Sequence, residues 1–190
     1  MQPAAAGIFY QLKRKLHDVE IVTEYAKDKT YDGHFGCLED QIYIFGKQQR
    51  RIKRLVNQVK LAVTDSPILL SILYNKDLST TFNQLVLETF NSYTNINFFI
   101  ERDKPYVKSG RTQTEQEAIE LDIKLRKYLD SINLQYTSVV GNEYCVDNIV
   151  NRIDYYLKSL CERVEDEDIS TTNHVSPPNE YCDCDLCDGA

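Results

Sequence analysis

Apolar residues recur along this chain in two alternating rhythms, one helical and one extended. Ala5, Ile8, Phe9, Leu12 and Leu16 lie three or four positions apart and predict an opening helix over 4–16. The β-branched run Val19-Glu20-Ile21-Val22-Thr23, closed by Glu24, predicts a first strand. A loop holding Asp32-Gly33 and Gly36 then leads into Leu38, Ile42, Phe45, Ile52, Leu55 and Val56, which predict a long helix near 38–58. Lys60–Thr64 reads as a second strand, with Pro67 marking a turn after Asp65. Helical segments follow at 68–75 and 79–92, then a strand at Ile96–Ile100 and a polar loop containing Pro105 and Gly110. A helix at 115–131, a strand at Gln135–Val140 and a helix at 143–160 complete the pattern. The order αβαβααβαβα predicts an α/β protein: a three-layer parallel sheet with helices on both faces. The strings VEIVT and LAVTD are nearly all apolar, as central strands covered on both sides require.

Charge changes this picture at one end only. Residues 162–190 carry nine acidic groups against Arg163, a net −8, so the remaining residues sum to +1 of the chain's −7. Pro177-Pro178 and Asn/Thr/Ser residues accompany those charges, so the expected organisation is a domain over 1–164 and an acidic tail over 165–190. No apolar run approaches the roughly 18 residues of a membrane span. The short apolar stretch at the N-terminus precedes its positive charges, which makes a poor secretory signal. A soluble, cytoplasmic protein with no membrane partner is expected. Cys182, Cys184 and Cys187 cluster in the tail, where they could hold zinc with His174 as a fourth ligand. The spacing departs from paired C-x2-C, so a loose metal-attracting or redox-sensitive tail is the alternative.

In open α/β folds, ligands gather outside the carboxyl ends of the strands. Glu24, Asp65 and Glu101-Arg102-Asp103 occupy those ends, a combination suited to a phosphate–metal complex. The strings VTEYAKD, LEDQIYIFGKQQRR, VTDSPILLSILY and FFIERDKPYVKSGRTQTEQEAIELD resemble phage and bacterial ATPase/kinase proteins related to the ribosylnicotinamide kinase domain of NadR, within the P-loop nucleoside and nucleotide kinase group. The likeness covers residues 4–140 and is most specific in the lid-like segment near 101–115. It implies ATP and Mg2+ as cofactors and phosphoryl transfer to a nucleoside, nucleotide or nicotinamide riboside-like acceptor. Chemistry of that kind works by positioning and charge neutralisation.

On this resemblance Glu24 and Asp65 are the catalytic carboxylates, Asp65 also facing magnesium. Gln41, Lys47, Arg50, Arg102 and Arg111 are the acceptor- and phosphate-binding residues. The sequence departs from the family because no G-x-x-x-x-G-K-[ST] occurs in it, and Ala4–Tyr10 looks like the helix that follows a P-loop. The expected fold therefore lacks the first strand and P-loop, leaving an empty place between the strands that end at Asp65 and Glu101. A start upstream of Met1 is the favoured explanation, with repacking of the neighbouring strands or a strand from another polypeptide as alternatives. Phosphoryl transfer is then impaired, and a non-catalytic binding or scaffold protein is the second reading.

Each residue also has an ordinary role to weigh. Asp65 could simply cap a helix over 66–75, and Glu24 could be a surface glutamate. The cations from Lys47 to Arg54 could be a solvated helix face, and nucleic-acid binding through them is disfavoured because no stacking pattern accompanies them. Thr112 or Thr114 could cap the next helix with Glu115 or Glu117. His17 and His34 stand apart from any serine or cysteine pattern, and Tyr25, Tyr31, Tyr43, Phe45 and Tyr74 could stack on a base or fill the core.

Overall fold

The computed structural model describes residues 3–75, 79–103 and 114–170, with side chains as far as residue 160. Arg111 and the three tail cysteines Cys182, Cys184 and Cys187 lie outside the described residues. The elements in order are α1 (Pro3–Lys15), β1 (Val19–Val22), α2 (Tyr25–Tyr31), a 3-10 turn (Phe35–Leu38), α3 (Gln41–Lys53), β2 (Leu61–Thr64), α4 (Leu70–Tyr74), α5 (Thr80–Asn91), β3 (Phe98–Glu101), α6 (Glu115–Ser131), β4 (Thr137–Val140) and α7 (Cys145–Ser170). The chain divides into two compact units, 1–153 and 154–190.

The fold is mixed α/β with parallel strands, and one expectation needs correction. In place of a single sheet there are two two-stranded sheets, β1–β2 and β3–β4. β1 pairs with β2 in the register Val19↔Leu61 to Val22↔Thr64, and β3 pairs with β4 from Phe98↔Thr137 to Glu101↔Val140. Each pair is joined by a helical crossover, as parallel neighbours require. β2 and β3 do not pair with each other, so the chain has not closed its sheet by repacking these two strands.

The long helix expected at 38–58 is also corrected. Asp40 accepts a hydrogen bond from the Tyr43 N–H at 2.9 Å, which starts α3 at Gln41, and Asn57 in the left-handed region (φ 61°) lies beyond its end. α2 is an element that the apolar rhythm did not signal. None of its residues is buried, and within it the Thr30 hydroxyl donates to the Ala26 carbonyl at 3.1 Å.

Two groups of helices pack differently. Phe45 of α3, Ile68 and Leu69 before α4, Ile72 of α4, and Phe82, Val86 and Phe90 of α5 form one buried cluster, joined by Tyr128 of α6. Within it the Phe45 and Phe82 rings meet edge to face at 5.7 Å. α1 belongs to no part of that cluster and lies against β1 and β2, with Leu12 fully buried. It approaches α7 closely at Gly7, where a Cβ would stand 2.9 Å from Val146 Cγ2, and Gln11 donates to Asp147 at 2.6 Å. Gly141 serves the second sheet similarly. A Cβ there would fall 2.7 Å from the Glu101 carbonyl oxygen, which accepts the Gly141 N–H at 2.8 Å.

α6 opens with a capping box. The Glu117 N–H donates to Thr114 Oγ1 at 3.3 Å, and the Thr114 N–H donates to Glu117 Oε2 at 2.7 Å. The bonds from the Thr114 backbone and hydroxyl hold the Glu117 carboxyl below its ordinary value. A carboxyl depressed by folding adds stability above its unfolded pKa, and that contribution is lost as pH falls through the folded value. Glu117→Gln is therefore expected to flatten the acid limb of the stability–pH curve, measured by urea unfolding at a series of pH values. An unchanged limb would contradict this.

Candidate functional site

Titratable and aromatic side chains converge at the carboxyl end of β1. Glu24 takes the N-cap position of α2 with extended backbone (φ −69°, ψ 120°). One residue on, the Tyr25 N–H donates to Gln48 Oε1 at 2.9 Å. Gln48 is buried on α3, and its Nε2 reaches the Thr23 carbonyl at 3.3 Å, so a single amide holds the chain on both sides of Glu24. Arg51, one turn along α3, donates to the Thr23 carbonyl at 3.0 Å and to its hydroxyl at 2.8 Å. Its other nitrogen meets Asp28 Oδ2 at 2.6 Å.

An aromatic pair stands beside this tether. The Tyr25 and Tyr43 rings meet edge to face at 5.7 Å, and their hydroxyls share a hydrogen bond of 2.5 Å. That bond, followed by partial desolvation, raises the Tyr25 pKa, so the phenol stays protonated at neutral pH. Three cations surround the rings. Arg51 lies 5.0 Å and Lys29 5.7 Å from the Tyr25 centroid, and Lys47 lies 5.3 Å from the Tyr43 centroid. Lys29 is tied to Asp32 at 2.5 Å, a contact that raises the lysine pKa and lowers that of Asp32. Arg51 is tied to Asp28, whereas Lys47 has no ion-pair partner among the described residues.

Asp65 follows β2 directly. The parallel register Val22↔Thr64 brings it to the same end of adjacent strands as Glu24. Its Oδ1 atom is buried. It does not take the N-cap position of α4, which is Leu69. Among the described residues no three His, Cys, Asp or Glu side chains stand close enough to hold a metal ion. Gln41 is buried, with its Nε2 donating to the Leu38 carbonyl at 2.7 Å, which ties the preceding turn to α3. Arg50 is exposed, and Arg51 takes the contacts to Thr23, just past β1.

A second region lies on α6 and β3. Arg102, just past β3, pairs with Asp122, and Arg126 pairs with Glu101 at 3.0 Å. The Arg126 guanidinium also lies 4.3 Å from the Phe99 centroid. Phe99, Ile119, Ile123 and these four charged residues line an open groove of about 540 Å³. Arg102 and Arg126 already face carboxylates there, and Lys127 also lines the groove.

The structure thus gathers Glu24, Asp65 and Lys47 about the β1–β2 end of the molecule and α3, while Arg102 belongs to the α6 groove. Gln48, Arg51 and Tyr43 are central to the first region. Gln48 shares the buried face of α3 with Gln41 and Phe45, and Tyr43 and Arg51 are not among its buried residues. No protein-family model, curated protein or solved structure matches this chain.

Proposed function

We propose that this chain is a P-loop kinase-like α/β protein that binds a nucleoside or nucleotide of the acceptor kind at the carboxyl end of β1, and that these 190 residues do not themselves carry out phosphoryl transfer. The observation that carries the reading is Lys47, an exposed ammonium beside a paired tyrosine platform, at the strand end that also presents Glu24 and Asp65. A base can stack against the Tyr25–Tyr43 pair, Lys47 can meet a phosphate as a point charge, and a carboxylate can accept from a sugar hydroxyl. Phosphoryl transfer from ATP is the ancestral reaction that the resemblance implies. The described residues do not fit Mg2+ and ATP: no three His, Cys, Asp or Glu side chains among them stand close enough together to hold a metal ion, and the sequence contains no glycine-rich lysine loop.

A non-catalytic scaffold is the second reading. It is favoured by the ion pairs that occupy Arg51, Arg102 and Arg126. Thermal unfolding separates the two. A nucleoside monophosphate at about ten times its Kd is expected to stabilise the chain by about 1.4 kcal/mol, a rise of roughly 3–6 °C. Lys47→Ala is expected to lose about tenfold or more in affinity for the monophosphate and little for the nucleoside, because it removes one charge-assisted contact. No shift with any nucleoside or nucleotide favours the scaffold, and an unchanged monophosphate affinity in Lys47→Ala overturns the assignment of the phosphate position.

A further inference from the structure

Between Gln41 and Thr64 the sequence holds six cations and no acid, and folding sorts those cations. Arg51 is taken up by Thr23 and Asp28. Lys47, Arg50 and Arg54 are exposed, and none of the three enters an ion pair among the described residues. Tyr43, Lys47, Arg50 and Arg54 follow one another at spacings of four, three and four, so they share one face of α3, about 60° wide. From Lys47 to Arg54 that face runs about 10 Å along the helix axis. Like charges three and four residues apart weaken a helix, and a face kept only for solubility intersperses acids among them. The helix dipole favours a cation in the last turn, but Arg51 already meets it and Lys47 lies before that turn.

No stacking pattern accompanies these cations in the sequence, but the fold supplies one. Tyr43 heads the basic face and pairs with Tyr25. Tyr31 ends α2 and Phe35 opens the 3-10 turn, 66% and 55% exposed. Gly33, in the left-handed region at φ 74°, turns the chain between them, and the 3-10 turn lies against both α2 and α3. Two aromatic rings thus stand open to solvent on the segment that leads into the basic helix. The chain's net charge of −7 repels polyanions as a whole, so affinity for one must come from a local surface such as this.

We propose that α3 and the segment before it bind single-stranded nucleic acid, with the sugar–phosphate chain along Lys47, Arg50 and Arg54 and bases stacked on the Tyr25–Tyr43 pair, Tyr31 and Phe35. The terminal nucleotide takes the position assigned above, and to that extent the inference rests on that reading. What it adds is length. Cations spread over about 10 Å of helix exceed what one phosphate can use, and the exposed rings exceed what one base can cover. A single strand suits this surface better than a duplex, because its unstacked bases each offer a face to an aromatic side chain. An acidic peptide would satisfy the cations and leave the rings without partners.

Fluorescence anisotropy of the full chain with a labelled thymidylate strand of about ten nucleotides, over a range of salt concentrations, tests it. The expected slope of log K against log salt is about −2, from three cations at about 0.7 each. Arg50→Ala and Arg54→Ala are each expected to shallow that slope by about 0.7, and Arg54→Lys to restore it. Phe35→Ala is expected to lose about fivefold or more in affinity with the slope unchanged, because stacking releases no counterions. These side chains are exposed, so the variants are expected to fold, and Arg54→Ala and Phe35→Ala should leave the affinity for thymidine monophosphate as it is. Lys127→Ala, on α6, is expected to change neither slope nor affinity. A strand that binds no tighter than the monophosphate overturns this inference and leaves the nucleotide reading standing, whereas binding of neither overturns both. Equal affinity for a polyglutamate peptide, or a loss in Lys127→Ala as large as in Arg54→Ala, would reveal diffuse attraction and overturn the proposal.

Discussion

Leu12→Ala is expected to destabilise the protein by about 2–5 kcal/mol, among the larger effects that a single truncation here can have. Leu12 has no exposed surface and sits on the helix that lies against both β1 and β2. Shortening it deletes apolar contacts and leaves a cavity that the neighbouring backbone, held in a parallel ladder, cannot collapse to fill. For a chain of this size the melting temperature falls by roughly 5–15 °C. Leu12→Met, which conserves volume, is expected to cost less than about 1.5 kcal/mol. Thermal and urea unfolding of the two variants check this. Equal stability of Leu12→Ala and the parent would mean that α1 does not cover the first sheet.

Gln48→Leu is the second large effect, and it reaches from stability to binding. The side chains are similar in size, so packing is nearly kept while both polar atoms are removed. The Thr23 carbonyl still has Arg51, but the Tyr25 N–H loses its acceptor. An unsatisfied, partly buried donor costs about 1–3 kcal/mol. Because that bond also sets where Tyr25 stands, nucleotide affinity is expected to fall with stability. Gln48→Glu retains an acceptor for Tyr25 and should recover part of both losses. Stability lost without any change in affinity would separate the tether from the binding site.

Elements with a clean period were legible in the sequence. The helix expected at 115–131 appears as Glu115–Ser131, because an apolar stripe and the Thr114/Glu117 box give the same start. β1, β2 and α5 fall within two residues of their expected limits for a similar reason. α2 was illegible because it buries nothing and so leaves no stripe. The false continuity of 38–58 arose from apolar residues flanking a helix whose true start is set by one carboxylate, Asp40. Pairing between strands is nonlocal, so hydrophobic pattern alone predicted one sheet where there are two.

The site was legible by residue type more than by partner. Strand ends and a family-like string singled out Glu24, Asp65 and Lys47, and the structure places Glu24 and Asp65 at the same end of adjacent strands. Arg50 was preferred to Arg51, although a shift of one residue turns a helical side chain through about 100°. Only tertiary packing decides which of the two reaches Thr23. Gln48 was missed because a buried amide in a helix looks like an ordinary polar position until the backbone groups it serves are in view.

The most direct test of the ligand assignment is a nuclear magnetic resonance titration of the full chain with a nucleoside monophosphate. Saturable shifts centred on Tyr25, Tyr43 and Lys47, with Phe99 and Arg126 unmoved, are the predicted result. Shifts confined to the Phe99–Arg126 groove, or none at millimolar ligand, would contradict it.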